Sequence, residues 1–533
     1  MKMNRRRFIT ASLGVASMAA CGGPAVETHT KPEEPAAGIP PFELDETTVA
    51  ALQDGMKSGK YTARSIAQLY LQRIEAIDRR GPSLHSVIEI NPDALQIADA
   101  LDAERKSKGP RGPLHGIPVL LKDNIDTADR MTTTAGSLAL EGSIPQQDSL
   151  VAKRLRESGA VILGKANLSE WANIRSTRSS SGWSARGGQC RNPYVLDRNP
   201  CGSSSGSAAA TSANLTALSV GTETDGSIVC PSGVCGIVGI KPTVGLISRA
   251  GIVPISHSQD TAGPMCRTVT DAAILLGVVR NPEIDAPDYA TFLDPNGLRG
   301  ARVGVSRSDF GFNARVDKLM EDAIDVLKKS GAEIIDPANV DATKNIEAAE
   351  INVLLYELKA NLNAYLASLG PKAQTKTLKE IIEFNEKHAD KELLYFGQEL
   401  FIQAEEKGPL TDAKYIEDLR KNQQLAREQG IDAVMAKNRL DAIIAPTNGP
   451  AWVTDYLNGD HFAGSSSTAA AVAGYPNVSV PCGYVSGLPI GISFFGRAWS
   501  EPTLIKIAFA YEQATRYRRP PKFLRTLDQV SSS

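Results

Sequence analysis

Histidine is scarce in this chain: six among 533 residues, none near the run "GTETDGSIVCP" at 221–231. A serine or cysteine mechanism built on an imidazole base therefore has few places to form. Formal net charge is −2, so there is no basic excess of the kind that binds nucleic acid. Seven cysteines are present, and their spacing fits no zinc pattern; "CPSGVC" is C-x4-C without a second pair or nearby histidines. No internal repeat and no interior linker interrupts the body, and no apolar run is long enough to be a permanent membrane span. Hydrophobic residues at 42% and charged residues at 22% describe an ordinary globular chain.

The first residues stand apart. "NRRRFIT" and "ASLGVASMAAC" give a basic head, a short apolar core and small residues before Cys21, which reads as an export signal over 1–21. Arg5 and Arg6 followed by Phe8 and Ile9 resemble the twin-arginine type, and "SMAAC" resembles a lipoprotein cleavage site with Cys21 as the lipidated residue. A Pro-, Glu- and Ala-rich linker over 22–41 would then tether an exported body in the periplasm or cell envelope. A plain signal peptide with an incidental Cys21 is the alternative. The twin-arginine route carries folded proteins, so folding in a reducing cytoplasm disfavours disulfides. Cys190, Cys201, Cys230, Cys235, Cys266 and Cys482 are accordingly expected as small buried packing residues.

The body alternates apolar strands with amphipathic helices. Thr62 is placed to cap a helix in which Ile66, Leu69, Ile74 and Ile77 share a face. "GIPVLLKDNIDT" and "AVILGKAN" read as buried strands separated by a helix over 148–158 with Val151 and Leu155 inward. The rhythm recurs at "ARVGVSRS", a charged helix over 316–329 and "GAEIID", and strands return at "LDAIIAPT" and "PNVSVPCGYV". Residues 340–440 have helical spacing and are expected on the outside of the same body. The expectation is one large α/β unit over 42–520, with a C-terminal tail over 521–533.

Four features could carry chemistry. Gly202-Ser203-Ser204-Ser205-Gly206 formally fits a nucleophile elbow, which needs a preceding strand and a histidine. Pro193 and Pro200 argue against that strand, and His257, His388 and His461 sit in no telling context. "CGSSSGS" is otherwise a tight turn at the mouth of a helix, where N–H groups and hydroxyls converge. Lys122, Lys165 and Lys241 each follow an apolar run, and most such lysines are simply exposed past a strand. Lys122 comes straight off "PVLL", and burial disfavours a charged ammonium enough to make it a base near neutral pH. In "GTETDGSIVCP", Thr224, Asp225, Gly226 and Ser227 form a turn whose N–H groups could meet a negative oxygen; an ordinary Gly-Ser turn is the bland alternative.

Together these stretches resemble the amidase signature family, whose pattern is a lysine in "GIPVLLKDN", a "GGSSGGS" loop and a "GTDTGGSIRxP" run. Here they stand as "GIPVLLKDNIDT", "CGSSSGS" and "GTETDGSIVCP", followed by "GIVGIKPTVGLISRAGIVPISHSQDTAGPM". The resemblance runs from Leu44 to Arg518. It implies a three-layer α/β/α body around a mixed sheet, and amide hydrolysis with no metal or organic cofactor. It further implies that Ser227 attacks, Ser203 on a cis peptide bond relays the proton, and neutral Lys122 accepts it. Thr224 to Ser227 would be the oxyanion hole. Cys201 and Ser205 replace loop glycines, Asp225 stands where most members have glycine, and Val229 where many have arginine. The combination looks most like the bacterial peptide amidase branch, which releases ammonia from C-terminal peptide amides. The rivals are a fatty-acid or aryl-amide hydrolase, whose acyl channel the helices of 345–440 would build, and a non-catalytic binding lipoprotein. An amidotransferase subunit is disfavoured by the export signal.

Overall fold

Short runs of aliphatic residues become strands here because both of their faces are covered. The computed structural model describes residues 39–370 and 373–527. Its strands are β1 (Val87–Ile90), β2 (Pro118–Lys122), β3 (Val161–Ala166), β4 (Trp183–Ser184), β5 (Gly188–Gln189), β6 (Leu218–Glu223) and β7 (Val238–Lys241). After these come β8 (Thr261–Cys266), β9 (Arg302–Val305), β10 (Glu333–Ile335), β11 (Ala442–Pro446), β12 (Asn477–Val485) and β13 (Leu488–Phe495). Eleven of them form one sheet in the order β1-β3-β2-β6-β8-β7-β12-β13-β11-β9-β10, and β4 with β5 makes a small hairpin. The sheet is mixed: β3, β2 and β6 run parallel, as do β11, β9 and β10, and the remaining neighbours are antiparallel. Every residue of β2, β3, β6 and β8 is buried, so β2 and β3 read as largely apolar runs rather than alternating ones, while β6 buries Ser219, Thr222 and Glu223 as well. This is the α/β/α architecture with a central mixed sheet that the sequence predicts.

After a first helix, Val49–Lys57, a second spans Ala63–Arg73, and Thr62 caps it reciprocally with Ser65. It continues as a wider π-helical turn over Ile74–Arg79, so Ile66, Ile74 and Ile77 are all buried while Leu69 stays half-buried. The helix between β2 and β3 spans Leu150–Glu157, with Val151 and Leu155 inward and Ser149 accepting from the Ala152 N–H. Outside the sheet, helices Glu347–Ser368, Leu378–Lys387 and Glu399–Glu405 bury a cluster of their own. Leu355, Leu358, Leu362, Ile381 and Phe401 meet Trp171, Ile174, Val253 and Ile255 there, on segments that border the site.

The ends of the body differ from the expected linker and tail. Pro40 accepts a hydrogen bond from Arg73, whose guanidinium lies over Phe42 and Phe523. Phe523 is buried and Leu524 donates to the Tyr194 carbonyl, so the chain from 521 to 527 is docked on the body, because an aromatic ring there gains more by burial than by exposure. The expected export signal, Cys21 and most of the linker lie outside the described residues.

Candidate active site

Parallel pairing of β2 with β6 sets Leu121 opposite Val220 and brings the two carboxyl ends together. That edge is where open α/β sheets place their chemistry. Lys122 ends β2 and is fully buried. Its Nζ lies 2.7 Å from Ser203 Oγ, 3.1 Å from Ser204 Oγ, 2.9 Å from Thr222 Oγ1 and 3.3 Å from the Thr222 carbonyl. Burial pulls the ammonium down to about 7, only partly opposed by the negative charges of Asp260 and Glu223.

The loop bearing Ser203 is held by close backbone approach. A Cβ at Gly202 would stand 2.1 Å from Ser169 Oγ, and one at Gly206 would stand 2.3 Å from the Ser86 carbonyl. Gly206 N–H donates to the Asn167 carbonyl just past β3, and Ser169 N–H to the Ser203 carbonyl. The Gly202–Ser203 peptide bond is cis. Ser204 donates through Oγ to the Thr222 carbonyl and accepts from the Thr222 N–H, which stitches this loop to β6 beside Lys122.

Ser227 follows β6 in a turn that Gly226 enters with φ of +74°, a conformation glycine adopts without strain. Ser227 keeps 8% of its surface exposed, and its carbonyl accepts from the Ser204 N–H. Thr224 donates through its hydroxyl to Asp260, which also accepts from the Ile255 and Ser256 N–H groups. Asp225 accepts from the hydroxyls of Ser467 and Thr468. A cavity of about 440 Å³ reaches this turn, lined by Cys201, Gly202, Asp225, Gly226, Trp452 and Phe462 among others. None of its lining comes from 345–440, the stretch from which an apolar acyl channel was expected.

Of the three strand-end lysines, the structure brings Lys122 alone to the serines. Lys165 donates to the Ile125 carbonyl and Thr133, Lys241 to the Tyr475 and Pro242 carbonyls. The elbow reading fails on position: His257 is bonded to Asn361 and Tyr415, His461 to Asp455, and His388 stacks on Phe384. One expectation is overturned. Cys201 and Cys230 form a disulfide, with Cα atoms 6.2 Å apart, while Cys190, Cys235, Cys266 and Cys482 are buried free thiols as anticipated. The pairing escaped the sequence reading because 29 positions separate the two, and only the fold lays the Ser203 loop against the helix after Ser227.

Sequence reasoning also missed Ser204 and Thr222 as partners of Lys122, and Gln259, which donates to the Thr224 carbonyl and to Glu350. Thr222 and Gln259 lay within the recognisable motifs; Glu350, on an outer helix, carried no signal at all.

Comparison with known proteins identifies the family. The amidase family model matches residues 65–505. An Arabidopsis thaliana protein described as a probable amidase is 44% identical over 503 residues, covering 91% of this chain and 93% of its own. The native peptide amidase from Stenotrophomonas maltophilia superposes with a TM-score of 0.86 at 50% identity, covering 90% of this chain and 99% of that one. A peptide amidase in complex with the competitive inhibitor chymostatin superposes at 0.88, again at 50% identity, covering 90% and 100%. A buried lysine set among hydroxyls at the carboxyl edge of a mixed sheet thus comes with family-wide similarity, and the chain belongs to the amidase signature family of amide C–N hydrolases.

Proposed function

We propose that this amidase works through Ser227, Ser203 and Lys122 and removes ammonia from C-terminal peptide amides. The observation that carries the mechanism is the 2.7 Å contact between Lys122 Nζ and Ser203 Oγ, made by a fully buried lysine. An uncharged amine there accepts the Ser203 proton, and Ser203 in turn takes the proton of Ser227. Ser227 Oγ then bonds to the amide carbon, and the carbonyl oxygen becomes an anion facing the turn from Thr224 to Ser227. As the C–N bond breaks, the proton held by Lys122 returns through Ser203 to the leaving nitrogen, and ammonia departs. Water repeats the sequence on the acyl-enzyme and frees Ser227.

The peptide reading is supported by the cavity. Its walls include Asn173, Ser176, Ser181 and Asn458, polar groups able to bond a peptide backbone, with Trp452 and Phe462 to take a side chain. The 50% identity to a peptide amidase points the same way. An exported location is supported by the Cys201–Cys230 disulfide, since such bonds persist in oxidising compartments. Oxidation after export reconciles it with transport in the folded state.

Ammonia release from peptide amides, a long-chain fatty amide and an aryl acetamide tests the assignment, with Ser227→Ala as control. Turnover of peptide amides that vanishes in the variant is expected. Preference for the fatty or aryl amide would leave the mechanism and replace the substrate; turnover undiminished in Ser227→Ala would remove the nucleophile.

A further inference from the structure

Asp225 is adjacent to Gly226 and two positions before the proposed nucleophile, and together with Gly226 it lines the cavity at this turn. It shares that wall with one other carboxylate, and the two are differently engaged. Asp460 accepts from the Ser181 N–H on both oxygens, and its Oδ1 also accepts from Asn199 Nδ2 and Trp452 Nε1. The Ser181 and Asn199 bonds tie the 452–465 segment to the body, and all three donors crowd Oδ1 while Oδ2 shares the Ser181 N–H alone. Asp225 accepts one hydroxyl on each oxygen, from Ser467 and from Thr468. An ionised carboxylate offers about four lone-pair sites, so about two remain open. Both anchoring hydroxyls line the same cavity, and Ser467 packs against Gly226, where a Cβ would stand 3.0 Å from its Oγ. The carboxylate is therefore held still, with acceptors to spare, beside the place where the scissile group must sit.

An acceptor that cannot donate discriminates between leaving groups. A carboxamide nitrogen carries two hydrogens; the oxygen of a methyl ester of the same shape carries none, and would bring its own lone pairs against the carboxylate. We propose that Asp225 is a specificity-determining residue that accepts an N–H bond from the scissile carboxamide and so selects primary amides over isosteric esters. This rests on the reading of Ser227 as nucleophile. No covalent bond to Asp225 is involved: the C–N bond still breaks toward ammonia, with the proton supplied from Ser227 through Ser203.

The test compares one peptide as its C-terminal amide and as its methyl ester. In Asp225→Asn, which keeps the size of the side chain, the amide-to-ester ratio of kcat/KM is expected to fall at least about tenfold, the scale of losing a charge-assisted hydrogen bond. A ratio within twofold of the parent, whatever the common loss in rate, overturns the proposal, because a merely structural Asp225 would depress both substrates alike. A second measurement leaves Asp225 untouched in case its variant fails to fold. Calorimetric binding of both peptides to Ser227→Ala is expected to favour the amide at least about tenfold, and equal affinities overturn the proposal. Should Ser227→Ala still hydrolyse the amide, it is the assignment of the nucleophile that falls.

Discussion

Lys122 and Lys241 look alike in sequence and behave differently in the fold. Each closes a buried strand after a run of aliphatic residues, and each is fully buried. Burial lowers both, Lys122 to about 7 and Lys241 to about 8. What differs is the kind of oxygen each one meets. Lys241 donates to the carbonyls of Tyr475 and Pro242, with Glu223 and Glu501 close enough to favour its charge. A carbonyl can only accept, so this lysine must bring hydrogens to its bonds. Lys122 meets one carbonyl, that of Thr222, but also the hydroxyls of Ser203, Ser204 and Thr222. Ser204 spends its hydrogen on the same carbonyl, whereas a hydroxyl such as that of Ser203 can give a proton as well as take one. The difference between a structural cation and a general base thus lies in the partners, more than in the depth of burial.

The sharpest blow to the comparison is struck at the nucleophile it serves. Ser227→Ala should lower kcat by roughly 10⁴-fold or more while leaving the melting temperature near the parent's, read by ammonia release and calorimetry. Next come the lysines themselves. Lys122→Met should cost about 10²–10⁴ in kcat/KM with the fold retained, the usual worth of a positioned base. Lys241→Met should instead show as lost stability, of the order of a few kcal/mol, because it leaves Glu223 buried without its cation. If Lys241→Met folded normally and abolished turnover, the contrast drawn between the two would be wrong.

The disulfide sharpens the picture at smaller scale. It closes a loop of 29 positions, for which chain entropy gives about 3–4 kcal/mol. Cys201→Ser with Cys230→Ser should lower the denaturation midpoint accordingly, and mass analysis of the oxidised parent should find one bond, between these two residues. The gentlest probe is pH. The base must be neutral, and Lys122 stands near 7, so kcat/KM should be level above that value and fall below it, tending to tenfold per pH unit. A profile flat down to pH 5 would count against a lysine base. In Lys241→Met the acid limb should stay where it is.

Much of the site was legible because it is built from local signals. Gly226 announces a turn by its own freedom, and its φ of +74° bears that out. Buried strands such as "PVLLK" declare themselves by apolar runs, which is why β2 and β3 fall where expected, whereas β6, "LSVGTE", carries too many polar residues to do so. The helix at Thr62 was legible from its cap and through Ile74 and Ile77, although the widening of its last stretch, Ile74–Arg79, to a π-helical turn was not. The Ser204 and Thr222 contacts were not legible, since the spacing of motifs says nothing of which hydroxyl in a serine-rich loop turns toward a lysine. Asp225 shows the same limit at longer range: its two anchors lie 242 and 243 positions away.

The sequence by itself determined the family, the succession of strands and helices, and the short roll of residues able to act. Those follow from local chemistry: periodic burial, glycine at forced turns, and three ordered motifs. Tertiary structure alone decided which of three similar lysines meets the serines, that Cys201 and Cys230 join, that residues 521–527 dock through Phe523, and which hydroxyls anchor Asp225 at the cavity. Each of these depends on contacts between distant parts of the chain, and on the desolvation such contacts impose. Neither is a property of any short stretch of sequence.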